Sequence, residues 1–181
     1  MNRQILFIQG GGGEEDYAAD AALVDSLQKS LGDAYDVHYP LLPTESTPDF
    51  GRPKQIEKEI SLIVGEIILV AHSLGASMLL EYISETGVQK KIAGIFLIST
   101  PFWSGDEDWQ RPLKLPQNFA DKIPHNIPIF LYHSQDDEEV PFEHLELYTQ
   151  HLPQATVRRI TGGGHQLNND LSLVAEDIKS L

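Results

Sequence analysis

Short apolar runs, nearly continuous rather than alternating, narrow most sharply what this chain can fold into. Residues 5–8 read Ile-Leu-Phe-Ile, residues 67–71 Ile-Ile-Leu-Val-Ala, residues 92–98 Ile-Ala-Gly-Ile-Phe-Leu-Ile, and residues 127–132 Ile-Pro-Ile-Phe-Leu-Tyr. A strand with one face in water alternates apolar and polar residues. An unbroken apolar run suits a strand covered on both faces, as in a parallel sheet with helices on either side. Residues 35–39 and 156–160 are weaker strand candidates.

Between these runs, apolar residues recur three and four apart. Leu23, Leu27 and Leu31 share a face before Gly32; Ile56, Ile60, Ile63 and Val64 do so before Gly65; Met78, Leu79, Tyr82 and Ile83 do so before Gly87. Leu145, Tyr148 and Leu152 form a fourth stripe, and Leu171, Val174, Ile178 and Leu181 a fifth. A glycine just past the last periodic residue is a helix stop. Alternating strand and helix implies right-handed crossovers, hence an α/β fold with a single doubly wound, mostly parallel sheet of about six strands flanked by helices. No repeat, low-complexity tract or linker divides the chain, so residues 1–181 are expected to form one domain. Residues 101–126 break the rhythm with Pro101, Pro112, Pro116, Pro124 and both tryptophans. They read as a short lid-like excursion, and loops of that length are often functional.

The chain has 27 acidic against 13 Lys and Arg residues, a formal net charge of -14. That field repels phosphate backbones and anionic membrane surfaces, so neither nucleic acid nor membrane is expected as a partner. It also disfavours a strongly anionic substrate. There is no cysteine, which excludes disulfides, thiolate nucleophiles and Cys-based metal sites. That absence fits a cytoplasmic protein. The apolar run at residues 5–8 is too short for a signal peptide.

The run at 67–71 leads through His72 into Ser73-Leu74-Gly75 and then into a helical segment. Ala71-x-Ser73-x-Gly75 is the nucleophile-elbow pattern with alanine in place of the first glycine. Small residues two positions either side of the serine leave room for crowded backbone, and the helix N-terminus favours a developing oxyanion. The same serine could simply cap a helix. Its position at the end of the most apolar run favours the nucleophile. A serine hydroxyl needs a base, usually a histidine oriented by a carboxylate.

Two later segments complete a pattern. After residues 127–132 comes His133-Ser134-Gln135-Asp136-Asp137-Glu138-Glu139-Val140-Pro141; after residues 156–160 comes Thr161-Gly162-Gly163-Gly164-His165. With the elbow at Ser73, these motifs resemble the α/β-hydrolase superfamily, and most closely its short serine hydrolases without a cap domain, from Phe7 to the end of the chain. The resemblance implies that Asp137 orients His165 and that His165 is the base for Ser73. Asp136 is the alternative acid; its distance from Val140-Pro141 makes it the weaker match. Taken alone, Asp137 could be a turn residue and His165 a polar loop residue. His72 reads as packing or a secondary contact, with its side chain away from the serine's. His133 and His144 flank acidic residues without tight metal-ligand spacing, so no metal is expected.

The resemblance also implies an oxyanion hole built from the backbone N–H groups of Leu74 and of Gly11, in the loop Gln9-Gly10-Gly11-Gly12-Gly13. Gln9 departs from the histidine usual there. Read as a nucleotide loop, this stretch fails: Glu15 occupies the third glycine position, and Glu14, Glu15 and Asp16 oppose a pyrophosphate. Phe102, Trp103 and Trp109 are candidates for a substrate pocket, or they cover the sheet edge. The expected activity is a carboxylesterase-like serine hydrolase acting on a small uncharged ester, thioester or amide through an acyl-enzyme, without cofactor. The alternative is a binding module that keeps the fold without turnover.

Overall fold

The computed structural model describes residues 2–87, 89–103 and 113–181. Six strands form one sheet: β1 (Arg3–Ile8), β2 (Tyr35–His38), β3 (Ile67–His72), β4 (Ile92–Ile98), β5 (Ile129–Ser134) and β6 (Thr156–Ile160). Their order is β2-β1-β3-β4-β5-β6, and every neighbouring pair is parallel. The helices are α1 (Glu14–Leu31), α2 (Arg52–Leu62), α3 (Ser73–Thr86), α4 (Phe119–Lys122), α5 (Glu143–His151) and α6 (Ser172–Lys179). Among the described residues no helix is long and apolar enough to cross a membrane.

The continuous apolar runs feed two cores. Side chains alternate across the sheet, so Leu6, Ile8, Leu69 and Leu97 pack under α2, α3 and α5. Ile5, Phe7, Val70 and Phe96 pack under α1 and α6. Both alternate sets are therefore apolar. The two weak strand candidates are the sheet edges, β2 and β6, where most residues are half-buried or exposed.

Three boundaries differ from the sequence reading. The run expected at 127–132 becomes strand only at Ile129, because Pro128 has no N–H to give the ladder, and the Ile127 N–H turns back to the Pro124 carbonyl at 3.2 Å. Val64 leaves the α2 stripe: the helix ends at Leu62, Ile63 is extended, and Val64 lies 87% exposed. Leu181 lies beyond α6 and is exposed at its edge. Within the 101–126 excursion, α4 sends Phe119 into the core, and Ile123 follows it.

Strand order decides where a site can form. The chain runs from β1 outward to β2, then returns past β1 to β3 and continues away through β4, β5 and β6. The direction reverses between β1 and β3, and ligands of such sheets bind outside the carboxyl ends of the strands at that switch point. The loop 9–13 and Ser73 both emerge there.

Candidate active site

Ser73 is the first residue of α3 and has φ +50°. A non-glycine residue in that region is strained and persists only where the surroundings enforce it. The enforcement is visible two residues on. A Cβ on Gly75 would overlap the Gln9 carbonyl oxygen and approach Ile8 Cγ2 to 2.9 Å. The chain after β1 thus lies directly against the first turn of α3. The first-turn N–H of Leu74 has no intrahelical acceptor.

Ser73 Oγ lies 3.0 Å from His165 Nε2, and His165 Nδ1 lies 3.0 Å from both carboxylate oxygens of Asp137. Three residues separated by up to 92 positions in sequence thus form one hydrogen-bonded chain. Asp137 follows β5 in a tight turn whose Glu139 and Val140 N–H groups donate to Asp137 Oδ1 at 2.9 and 2.8 Å. Burial pushes the Asp137 carboxyl up, but hydrogen bonds from His133 and His165 and the Val140 N–H outweigh it and hold the group well below the usual carboxylate range. For His165, burial favours the neutral ring; the hydrogen bond and charge of Asp137, then Glu139 and Asp20, reverse this and raise its pKa above the ordinary histidine value. Glu139 Oε2 stands 3.5 Å from His165 Nε2 at the exposed mouth of the site.

Asp136 does not join this chain. Its carboxylate accepts the N–H groups of Gly163 and Gly164, each at 2.9 Å, and the Ser134 hydroxyl. It shapes the loop that presents His165.

His133 was a missed member. Its Nε2 lies 2.9 Å from the Val140 carbonyl and 3.2 Å from Asp137 Oδ2, on a fully buried ring. The sequence signal was its position four residues before Asp137 across the β5 turn. His144 Nδ1 accepts the Phe102 N–H at 2.8 Å. Among the described residues no three metal-ligating side chains gather around a common point. His72 is more than packing: it bonds Asp20 and the His165 carbonyl, and its ring lies 4.7 Å from that of His165.

The glycine loop after β1 is braced by side chains from several elements. Gln9, fully buried, accepts the Leu42 N–H at 2.9 Å through Oε1. The Gly10 N–H donates to Asp20 at 2.7 Å, and the Gly12 and Gly13 N–H groups both donate to Asp16 Oδ2 at 2.9 Å. Arg52 Nη2 donates to the Gly11 carbonyl at 3.1 Å. Among the described hydrogen bonds, the Gly11 N–H alone of these four has no acceptor. Gly11 has φ +52°, and a Cβ there would overlap the Asp16 carboxylate. The loop is close to the serine: a Cβ on Gly10 would lie 3.1 Å from Ser73 Cβ.

Phe102 and Trp103 line a cavity of about 330 Å³ with Leu115, Pro116, Phe119 and His151. The wall docks on α3, where Ser77, one turn after Ser73, donates to the Pro101 carbonyl at 2.8 Å. Trp109 lies outside the described residues.

A family model described as serine hydrolase matches residues 51–172. No curated protein matches the chain by sequence. Solved structures do match by shape. An esterase from Pyrococcus furiosus has a TM-score of 0.72 at 15% identity, over 99% of this chain and 82% of that one. SOBER1 of Arabidopsis thaliana has a TM-score of 0.70 at 15% identity, over 99% of each chain. A bromoperoxidase from Bacillus anthracis has a TM-score of 0.65 at 16% identity, over 99% of this chain and 90% of that one. At these identities the likeness is one of fold.

Proposed function

The chain belongs to the serine hydrolase family, and from that premise we propose that it hydrolyses a small, uncharged ester, thioester or amide through an acyl-enzyme on Ser73. The observation that carries this reading is the unbroken path from Ser73 Oγ to His165 to Asp137, each step 3.0 Å.

In the proposed reaction Ser73 Oγ attacks the carbonyl carbon while its proton passes to His165 Nε2. Asp137 holds the ring through Nδ1 and stabilises the imidazolium that forms. The oxygen turns negative where the N–H groups of Leu74 and Gly11, for which no acceptor is found among the described residues, would stabilise it. Collapse breaks the bond to the leaving group, which takes the proton from His165. Water then attacks the acyl carbon, gives its proton to His165, and Ser73 recovers that proton as the acid departs. The cavity beside Phe102 and Trp103 is mostly apolar, but Lys114 and Gln117 also line it and neither Ser73 nor His165 does. The Glu139 carboxylate at the mouth disfavours an anionic substrate.

The experiment is labelling with a fluorophosphonate beside a Ser73→Ala variant, read by intact mass. One adduct on the parent and none on the variant is expected, followed by turnover of short p-nitrophenyl esters. A parent that takes no adduct overturns the reading.

A further inference from the structure

A second carboxylate is buried in α1, on the same face as Leu23 and Leu27. Asp20 is 1% exposed, and a buried carboxylate needs strong partners to persist. Its partners come from three separate segments: the loop after β1, the end of β3 and the loop after β6. Oδ2 accepts the Gly10 N–H of the loop after β1 at 2.7 Å. His72 Nδ1, immediately before Ser73, lies 2.9 Å from Oδ1 and 3.0 Å from Oδ2. Gln166 Nε2, immediately after His165, donates to Oδ1 at 3.1 Å. The other His72 nitrogen, Nε2, lies 3.1 Å from the His165 carbonyl oxygen, which also accepts the Ser99 hydroxyl at 3.1 Å.

A carboxylate and a carbonyl only accept, so each His72 nitrogen faces an acceptor, the arrangement that suits a ring donating from both nitrogens. Burial pushes the Asp20 carboxyl up, but the hydrogen bond and charge of His72, the Gly10 N–H and Gln166 bring it below its ordinary value.

We propose that Asp20 and His72 form a buried ion pair that positions the catalytic machinery, tying the oxyanion loop, the nucleophile turn and the His165 loop to one carboxylate. Neither residue touches the reacting atoms; both act through groups that do. The inference rests on the Ser73–His165–Asp137 reading. It also carries an electrostatic consequence. His165 is faced by Asp137, Glu138 and Glu139 from the β5 turn, with His133 behind Asp137, by Asp20 from α1, and by His72 from β3. In that setting a positive charge on His72 opposes the pull of Asp20 on the His165 proton.

The test is the pH dependence of the fluorophosphonate labelling rate in the parent, in His72→Gln, and in the double variant Asp20→Asn with His72→Gln. The glutamine can still donate to the His165 carbonyl but carries no charge. Asp20 is then uncompensated, and the acid limb is expected to move up by about one pH unit. In the double variant the pair is removed as a neutral unit. The limb returns to its parental position, while the rate stays about tenfold or more below the parent because the loops are no longer held together. An unmoved limb in His72→Gln, or a double-variant limb below the parent's, means that His72 is uncharged and overturns the inference. Packing alone would lower rates without moving the limb. Labelling of the parent at Ser73 keeps the two readings separate. If the parent takes no probe, the hydrolase reading falls, and the imidazole 15N spectrum near pH 8, above the ordinary histidine range, decides the pair. Two protonated nitrogens on His72 support it; one overturns it.

Discussion

At the scale of single residues, the site consists of groups whose neighbours set their charge. Asp137 is held ionised by donors on both of its oxygens, and its one mobile partner is His165. Asp137→Asn would keep the shape but present an amide where the ring needs an acceptor, so His165 would turn or take the other tautomer. We expect kcat to fall by about 10³–10⁴ with KM little changed, measured on whichever p-nitrophenyl ester the parent turns over. His133 acts one step further out. Its Nε2 faces both the Val140 carbonyl and Asp137 Oδ2, so His133→Phe leaves a buried carbonyl without a donor and takes one of two donors from that carboxylate oxygen. The expected loss is about 1–3 kcal/mol in stability, read from urea denaturation, with a smaller fall in kcat than for Asp137→Asn. Equal or greater loss of kcat would mean that His133 takes part in the proton path.

At the scale of elements, the active site depends on two strand ends and one helix start being pressed together. Gly75 is the point of closest approach between α3 and the chain leaving β1. Gly75→Ala forces that backbone apart, because the obstacle is the Gln9 carbonyl rather than a flexible side-chain end. A destabilisation of about 1–3 kcal/mol is expected. The rate of fluorophosphonate labelling should fall by more than that stability loss explains, since the Gly11 loop moves with Gln9. Preserved labelling would show that the oxyanion donors do not come from this loop. Farther along α3, Glu81 illustrates a cost. Burial, with Glu85 and Asp49 nearby, pushes its carboxyl up to about 7, and its Oε2 has no hydrogen-bond partner among the described residues. A group whose folded pKa is raised loses stability as pH climbs from its ordinary value through the folded one. Glu81→Gln should therefore raise the urea midpoint near pH 8 and do less near pH 5; equal effects at both would rule out the charge as the cause.

For the whole molecule, pH acts on stability and activity through groups whose shifts have opposite signs. Asp20, Asp137 and Asp177 all have depressed carboxyl pKa values. For Asp177, burial opposes the shift, and Arg158 and the Tyr132 hydroxyl, which tie α6 to β5 and β6, cause it. The stability these groups contribute is present above about pH 4, the ordinary carboxylate value, and is lost as pH falls through their folded values. His165 has the opposite sign. Its raised pKa contributes stability below about pH 6.5, and that contribution disappears as pH rises through the folded value. In the proposed reaction, the neutral ring it leaves is the form that accepts the Ser73 proton. Labelling should accordingly increase with pH with a midpoint above that of a free histidine, while denaturation midpoints drop steeply on the acid side. A labelling midpoint below about 6.5 would contradict the coupling between His165 and its carboxylates.

Sequence alone determined the class of architecture, because a run such as 67–71 leaves no polar face for water and so demands helices on both sides of its strand. It also singled out Ser73 as the candidate nucleophile, since that serine sits between a strand and a helix with small residues around it, all local features. The family resemblance reached Asp137 and His165 because their loops carry short motifs. What the sequence left open follows from distance along the chain. Asp20 and His72 are 52 positions apart, and no pattern marks an aspartate on an apolar helix face as the partner of a histidine on another element. Arg52 belongs to no motif, and only the fold brings it against the Gly11 carbonyl. His133 and Gln9 take their roles from turns that place a carboxylate or a backbone N–H within reach. Periodicity and motifs follow from burial and local geometry, which neighbours in sequence share. The polar contacts that brace a site are made across strand ends, and these come together only when the sheet reverses direction between β1 and β3.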